Sequence, residues 1–200
     1  MLNLYLAPRG FKAPSPPPAA VSALLEYLVQ EQIVGALVDG AYPPGPAVAR
    51  FFHMDMADSH LPAELTFDAM RVVQVTRPRF LPEQRLAGSL RAACGECGDP
   101  LDPDLLEEAL AKLRYLPAER FSLTCAACRA PQTLRDLAFE TTVGYARFWL
   151  ILEGAGANRL NPHLVERLGR HLGVTLTVVP EYPVDAIEDW VPARRAHPRR

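Results

Sequence analysis

The chain has 200 residues, a net charge of −2 and a pI near 6.2, with 49% apolar and 22% charged residues. This composition is ordinary for a packed domain, and the chain is long enough to bury a core without disulfide support. The charge balance excludes a protein that coats nucleic acid with its whole surface. No apolar run reaches the ~18 residues of a membrane span and the N-terminus carries no secretory pattern, so we expect a cytoplasmic protein without membrane contact.

Residues 1–46 predict a strand, a helix and a second strand. Residues 2–6 (Leu-Asn-Leu-Tyr-Leu) favour a strand, and a proline-rich loop leads from them to a helix at residues 17–30. Residues 33–38 predict the second strand, which is closed by an Asp-Gly turn. The helix has one apolar face, formed by Val21, Leu24, Leu25 and Leu28.

Residues 47–140 are predicted to be an insertion between two β-α-β units. A long strand is predicted at residues 64–77, and it can either join the main sheet or pair within the insertion. Proline-containing breaks, one at residues 78–86 and one near Pro131, bracket a smaller segment that holds all four cysteines.

A cluster of ligand-type side chains lies early in this insertion, at residues 53–60 (His-Met-Asp-Met-Ala-Asp-Ser-His). In a strand, His53 and Asp55 share a face and can bind one metal. In a helix, His53 and His60 lie about 10.5 Å apart along the axis, too far to share an ion. One alternative function is therefore a metal-assisted enzyme that uses His53, Asp55, Asp58 or His60. The other interpretation of the cluster is a polar loop.

The four cysteines form two C-x-x-C pairs, Cys94 with Cys97 and Cys125 with Cys128. A C-x-x-C turn can aim two sulfurs at one ion, and two such turns supply the four thiolates of a tetrahedral zinc site with Zn–S distances of about 2.3 Å. Gly98 can adopt the positive φ that points backbone N–H groups at sulfur. We therefore predict one structural Zn²⁺ ion held by these four cysteines.

Residues 90–135 resemble zinc-ribbon modules with four cysteine ligands. The second turn departs from the ribbon pattern because Arg129 stands where a glycine is usual. The 27 residues between the pairs also exceed the roughly 15–20 of the common spacing, and a helix is predicted there. Asp102 is its N-cap and Pro103 its first residue, and a leucine stripe extends it to about residue 115. The resemblance implies a scaffold and names no activity.

Two further hypotheses concern the chemistry of this segment. Four thiolates around Zn²⁺ carry a formal charge of about −2, which Arg91 and Arg129 can offset in part. A redox role for the pair Cys125 and Cys128 is the alternative, and it requires a helix that starts at this pair. Pro131 falls in the second turn of such a helix and argues against it.

Residues 141–192 predict the same strand–helix–strand order as the N-terminal unit. Residues 145–152 favour an apolar strand, residues 162–172 a helix that a glycine ends, and residues 174–179 a last strand that Pro180 ends. Two β-α-β units indicate an α/β protein of the α+β sandwich type, ferredoxin-like, with helices on one face of the sheet. The zinc-ribbon-like module would interrupt this split domain.

Residues 193–200 carry four arginines and predict a flexible basic tail. Because the overall charge is slightly acidic, we expect a protein-interaction or regulatory role with a protein partner, exerted through the zinc module or the exposed sheet. The alternative is a nucleic-acid-binding zinc-ribbon protein. This alternative predicts a basic face formed by the tail together with Arg71, Arg77, Arg79, Arg85 and Arg91.

Overall fold

The computed structural model describes residues 2–9, 14–52, 65–81, 91–114, 120–140, 142–157 and 159–181. The strands within these ranges are β1 (Leu2–Pro8), β2 (Ala69–Leu81), β3 (Ala92–Ala93), β4 (Leu123–Thr124), β5 (Pro131–Gln132), β6 (Ala138–Phe139), β7 (Gly144–Ala155) and β8 (Leu176–Glu181). The α-helices are α1 (Pro18–Gln30), α2 (Pro103–Ala111) and α3 (Pro162–Leu172). Among the described residues, no helix is both long enough and apolar enough to cross a membrane.

Four strands form an antiparallel sheet in the order β2-β7-β1-β8. β1 lies between β7, where Leu6 pairs with Leu150, and β8, where Leu6 pairs with Val178. The two central strands are the ones predicted from the apolar residues at 2–6 and 145–152, and both predictions are confirmed. The most apolar segments thus occupy the positions that have hydrogen-bonding partners on both sides.

The helices α1 and α3 pack beside each other and enclose the main core against the sheet. The predicted limits of α3 are confirmed. Asn161 Oδ1 accepts hydrogen bonds from the backbone N–H groups of His163 and Leu164, and Gly173 ends the helix with a φ of 68°. The fully buried side chains of this core include Leu4, Leu6, Leu24, Leu28, Phe51, Phe148, Leu150 and Leu168.

The strand predicted at residues 33–38 is wrong. This segment belongs to a narrow hairpin held by isolated bridges, one between Val34 and Pro44 and one between Val38 and Ala41. The Asp-Gly turn at its tip adopts a positive φ at both residues, so the chain reverses at once. The prolines in the returning arm have no N–H group and cannot extend a ladder. The segment therefore does not become a strand of the sheet.

β2 takes the sheet position beside β7 instead. The strand predicted at residues 64–77, whose pairing the sequence left open, joins the main sheet over Ala69–Leu81. Its pairing with β7 shifts between Gln74 and Arg79, and the strand continues through Pro78 at this irregularity. Of the break predicted at residues 78–86, the part at residues 78–81 is therefore wrong, because β2 is an edge strand and an edge tolerates proline at a bulge. The rest of the predicted break lies outside the described residues.

β8 also continues through a proline, reaching Glu181 where the sequence predicted an end at Pro180. The N–H of Arg9 donates to the carbonyl of Thr175 at 2.7 Å in register with the β1–β8 pairing. Antiparallel hydrogen bonds recur at every second residue, so the odd-numbered residues of β8 bond to β1. The position of Pro180 consequently directs its backbone to the outer edge, where its missing N–H breaks no bond to β1.

A second, smaller core surrounds the cysteines. It contains α2, the short strand pairs β3–β6 and β4–β5, and Tyr145 of β7. α2 begins as predicted, with the Asp102 carboxylate accepting from the N–H of Asp104 at 2.9 Å and Pro103 in the first position. Of the predicted leucine stripe, Leu106, Leu110 and Leu113 are buried, whereas Leu105 is half exposed.

Candidate metal centre

The first cysteine pair lies in a tight turn that follows β3. The backbone N–H of Gly98 donates to the carbonyl of Cys94 at 2.8 Å, and the N–H of Cys94 donates to the carbonyl of Asp99 at 2.9 Å. The chain therefore reverses around the C-x-x-C sequence, which fixes the spacing of Cys94 and Cys97. We call this turn, residues 94–99, the first knuckle.

The second cysteine pair lies in a turn with the same hydrogen bonds. The N–H of Arg129 donates to the carbonyl of Cys125 at 2.9 Å, and the N–H of Cys125 donates to the carbonyl of Ala130 at 3.0 Å. Each position lies 31 residues after its counterpart in the first knuckle. This second knuckle, residues 125–130, is thus a structural repeat of the first.

One residue in each knuckle has a left-handed backbone. Gly98 has a φ of 74°, as predicted, and Arg129 has a φ of 59°. For a residue with a Cβ this conformation costs roughly 1–2 kcal/mol. The second knuckle therefore keeps the turn of the first although it has no glycine at this position.

The two knuckles bring all four sulfurs together. Their Sγ atoms lie within 4.8 Å of one another, and the pairs Cys94–Cys128 and Cys97–Cys125 are each separated by 3.7 Å. A tetrahedron with Zn–S bonds of about 2.3 Å has edges of about 3.8 Å. A disulfide would require about 2.05 Å. The spacing therefore fits four ligands around one ion.

The first cysteine of each knuckle faces the second core and the other faces solvent. Cys94 and Cys125 are each 1% exposed, whereas Cys97 and Cys128 are exposed. Among the described residues, these four form the one cluster of His, Cys, Asp or Glu side chains close enough to hold a metal ion. The site is consequently anchored in the core and accessible from one side.

The thiols strongly affect one another's ionisation. The backbone N–H of Cys128 stabilises the Cys125 thiolate, and the pKa of Cys125 falls to about 7. The N–H of Asp99 favours the Cys97 thiolate, but desolvation and the neighbouring thiols outweigh it and raise the pKa of Cys97 to about 12. One thiol therefore ionises readily and opposes the ionisation of the next. A bound divalent cation removes this opposition because it attracts all four thiolates.

Sequence reasoning missed the residues that hold the two knuckles together. Gln132 is 1% exposed, and its Oε1 accepts a hydrogen bond from the N–H of Gly95 at 3.0 Å. A Cβ on Gly95 would overlap the carbonyl oxygen of Asp136, so only glycine fits. The N–H and hydroxyl of Thr133 donate to the Asp136 carboxylate at 2.7 and 2.6 Å, which lowers its pKa. The T-x-x-D spacing is the one local signal for this turn.

The structure also bears on the redox alternative and on the flanking arginines. After the second knuckle the chain enters β5, so the helix that a redox role of Cys125 and Cys128 requires does not follow the pair. Arg91 and Arg129 are both exposed, and Arg129 lies within the second knuckle itself. Their effect on the charge of a bound ion stays a prediction.

The alternative site in the insertion lies outside the described residues. This applies to His53, Asp55, Asp58 and His60 alike. The enzyme hypothesis built on them stays a prediction.

The predicted basic face is described only in part. Arg71 is paired with Glu153, with Nε 2.9 Å from Oε1, and Arg77, Arg79 and Arg91 are exposed. Arg85 and residues 193–200 lie outside the described residues.

Comparisons of the chain with protein family models, with curated proteins and with solved structures find no match.

Proposed function

We propose that the chain is a zinc protein in which Cys94, Cys97, Cys125 and Cys128 form a structural site. The observation that carries this proposal is the pair of matching knuckles, which bring four sulfurs within 4.8 Å of one another. Thiolate ligands in a tetrahedral set favour zinc over the hard cations that prefer oxygen. Four protein ligands leave no position for a reactive water, so the role of the ion is structural.

The zinc stabilises a segment whose own core is small. Within residues 91–114 and 120–140, ten residues are buried in the second core, compared with nineteen in the main core, and the longest regular element is the nine-residue α2. In such a segment the free energy of metal binding is part of the free energy of folding. This segment contains two short strand pairs and two knuckles, one on each side of α2. The arrangement supports the assignment of the segment as a zinc-ribbon-like module inserted into the split domain.

The strand order supports a ferredoxin-like arrangement for the rest of the chain. The sequence order β1, α1, β2, β7, α3, β8 together with the sheet order β2-β7-β1-β8 gives two interleaved β-α-β units. In this assignment the inserted module lies between β2 and β7, and residues 69–81 belong to the split domain. Because Ala7, Ala146 and Trp149 are buried on the second sheet face, we take the edges of the sheet as the surfaces of this domain for partners.

A cytoplasmic protein-interaction role follows best from these features. The overall charge is slightly negative, and Arg71 of the hypothetical basic face is already paired with Glu153. Both observations favour a protein partner over nucleic acid. Four thiols held as metal ligands also suit a reducing compartment.

Native mass spectrometry of the purified chain tests the metal site. We expect one zinc per chain, and loss of that zinc in Cys94→Ser and Cys125→Ser. The matched control is Ala126→Ser, which adds the same hydroxyl at an exposed position of the second knuckle that is not a ligand. Zero zinc in the unmodified chain, or full zinc in both cysteine variants, would contradict the proposal.

A further inference from the structure

A groove of about 1050 Å³ lies between α3 and β8. Leu176, Val178 and Pro180 form its strand side, and Val165 and Gly169 are on its helix side. Val165, Val178 and Pro180 are only partly buried, so the groove exposes apolar surface to solvent.

The strand side of the groove is also an open sheet edge. β8 is the outermost strand, and its odd-numbered residues bond to β1. The backbone N–H and C=O groups of Leu176, Val178 and Pro180 therefore point outward in the plane of the sheet, away from β1. Because proline has no N–H, this edge offers two donors and three carbonyl acceptors. Within the ranges that the structure describes, no strand pairs with it.

The same three residues carry the free backbone groups and line the groove. This coincidence follows from strand geometry, since alternate residues share both a side-chain face and a hydrogen-bonding edge. An extended peptide placed along β8 would form main-chain hydrogen bonds and insert alternate side chains into the groove.

The charges around the groove select the peptide further. Among the described residues that line it, Arg159 and Arg170 carry positive charge and Glu166 carries the one carboxylate. The nearby carboxylate of Glu181 accepts hydrogen bonds from Asn3 and from Tyr5, which belongs to the other face of the sheet. The exposed guanidinium of Arg170 can therefore pair with an acidic side chain of a bound peptide.

We propose that this groove binds an extended, acidic segment of a partner protein, which adds to β8 as a fifth strand. A second copy of the chain fits less well. If two β8 strands paired antiparallel about Val178, the Pro180 of each copy would lie opposite the Leu176 of the other. Because proline has no N–H, each of these two pairs would lack one hydrogen bond. The inference rests on the protein-partner part of the proposed function and is independent of the metal.

Selection of phage-displayed random heptapeptides on the purified full chain tests the proposal, with zinc content measured on the same sample by native mass spectrometry. We expect enriched peptides with alternating apolar residues and at least one Asp or Glu. In a synthetic peptide of the enriched sequence, N-methylation of one alternate set of residues should weaken binding by at least about tenfold, and N-methylation of the other set should not. Failure to enrich any peptide on a zinc-loaded chain would overturn this inference alone.

Variants of the protein assign the binding to the groove. Val178→Pro removes an outward N–H without touching the bonds to β1, and Arg170→Glu reverses a groove charge. Each should weaken peptide binding by about tenfold. Arg167→Glu is the matched control because Arg167 lies on the same helix but outside the groove, where its guanidinium donates to the hydroxyl of Tyr27.

Circular dichroism separates a misfolded Val178→Pro chain from one that has lost only the edge donor, and Arg170→Glu tests the groove whatever that result. Unchanged binding in Arg170→Glu would overturn the proposal. A dimer in light scattering that Val178→Pro dissociates would also overturn it, because the edge would then be occupied by a second copy.

Discussion

Gln132 accepts, through its side-chain Oε1, a hydrogen bond from the backbone N–H of Gly95 across 37 residues of sequence. Gln132 lies in β5, directly after the second knuckle, and Gly95 lies inside the first. This contact ties one half of the cysteine site to the other without involving sulfur. Among the described residues, Gln132 Oε1 is the one acceptor found for the backbone N–H of Gly95.

We expect Gln132→Met to weaken the site although the size of the side chain is kept. The Gly95 N–H would lose a partly buried hydrogen bond, which costs about 0.5–1.5 kcal/mol. The midpoint of zinc release in denaturant, followed with a chromophoric chelator, should therefore shift to lower denaturant. Gln74→Met is the matched control because Gln74 is exposed on β2. Equal midpoints for the two variants would show that the contact does not support the site.

Substitutions at the two left-handed residues should change the stability of their knuckles in opposite directions. Arg129→Gly should stabilise the second knuckle by about 1 kcal/mol relative to Arg129→Ala, because both remove the charge and only glycine is free of strain at this φ. Gly98→Ala should destabilise the first knuckle by a similar amount. An added Cβ at Gly98 meets no atom within 4 Å, so this cost is conformational alone. Thermal release of zinc measures each change, and an Arg129→Gly chain no more stable than Arg129→Ala would contradict the argument.

Zinc binding should release protons, since the thiols must ionise to become ligands. At pH 8 the Cys125 thiol, with a pKa of about 7, is mostly ionised, whereas Cys97, with a pKa of about 12, is protonated. The pKa of Cys128 is also raised, since desolvation and the thiols of Cys125 and Cys94 outweigh the N–H of Ala130 and the Cys97 thiol.

We therefore expect about two or more protons released per zinc at pH 8, measured by titration calorimetry in buffers of different ionisation enthalpy. In the metal-free chain, the lowered pKa of Cys125 stabilises the fold fully above its ordinary pKa of 9.0, and this contribution is lost as the pH falls through about 7. Heats that do not depend on the buffer would contradict the predicted ionisation states. The Cys94→Ser, Cys125→Ser double variant supplies the baseline without a site.

Chelation should affect the two cores unequally. The second core depends on the cysteines, whereas the main core is closed by α1, α3 and the sheet without them. Hydrogen exchange after chelator treatment should therefore increase in residues 91–140 and stay low in residues 148–152 of β7. Zinc added back should restore protection. Loss of protection in β7 as well would show that Tyr145, which joins β7 to the second core, makes the two cores one cooperative unit.

Local signals were sufficient where one segment carries all its own determinants. The glycine at position 173 marked the end of α3, and Asp102 with Pro103 marked the start of α2. The cysteine spacing likewise predicted that four sulfurs would meet. In each case the interactions that decide the structure span only a few residues or one simple motif.

Features that depend on distant segments were not predictable in this way. The apolar residues at 33–38 were as strand-like as those of β8, yet the prolines that follow them prevent a ladder. The pairing of β2 depends on the strand β7, which lies more than sixty residues later in the chain, and the residues of β2 alone do not indicate this partner. The burial of Gln132 is caused by a knuckle 37 residues earlier, and nothing in its own neighbourhood indicates it.

The repetition of the knuckle after 31 residues has a consequence for the order of events during synthesis. A nascent chain that has emerged as far as Leu113 carries one half-site with two thiols, and two thiols cannot enclose an ion. Cys125 and Cys128 are synthesised only after α2. The metal can therefore bind all four ligands only when the helix between the two knuckles is already present. Only chains that have been synthesised through Cys128 can therefore form the complete four-cysteine site.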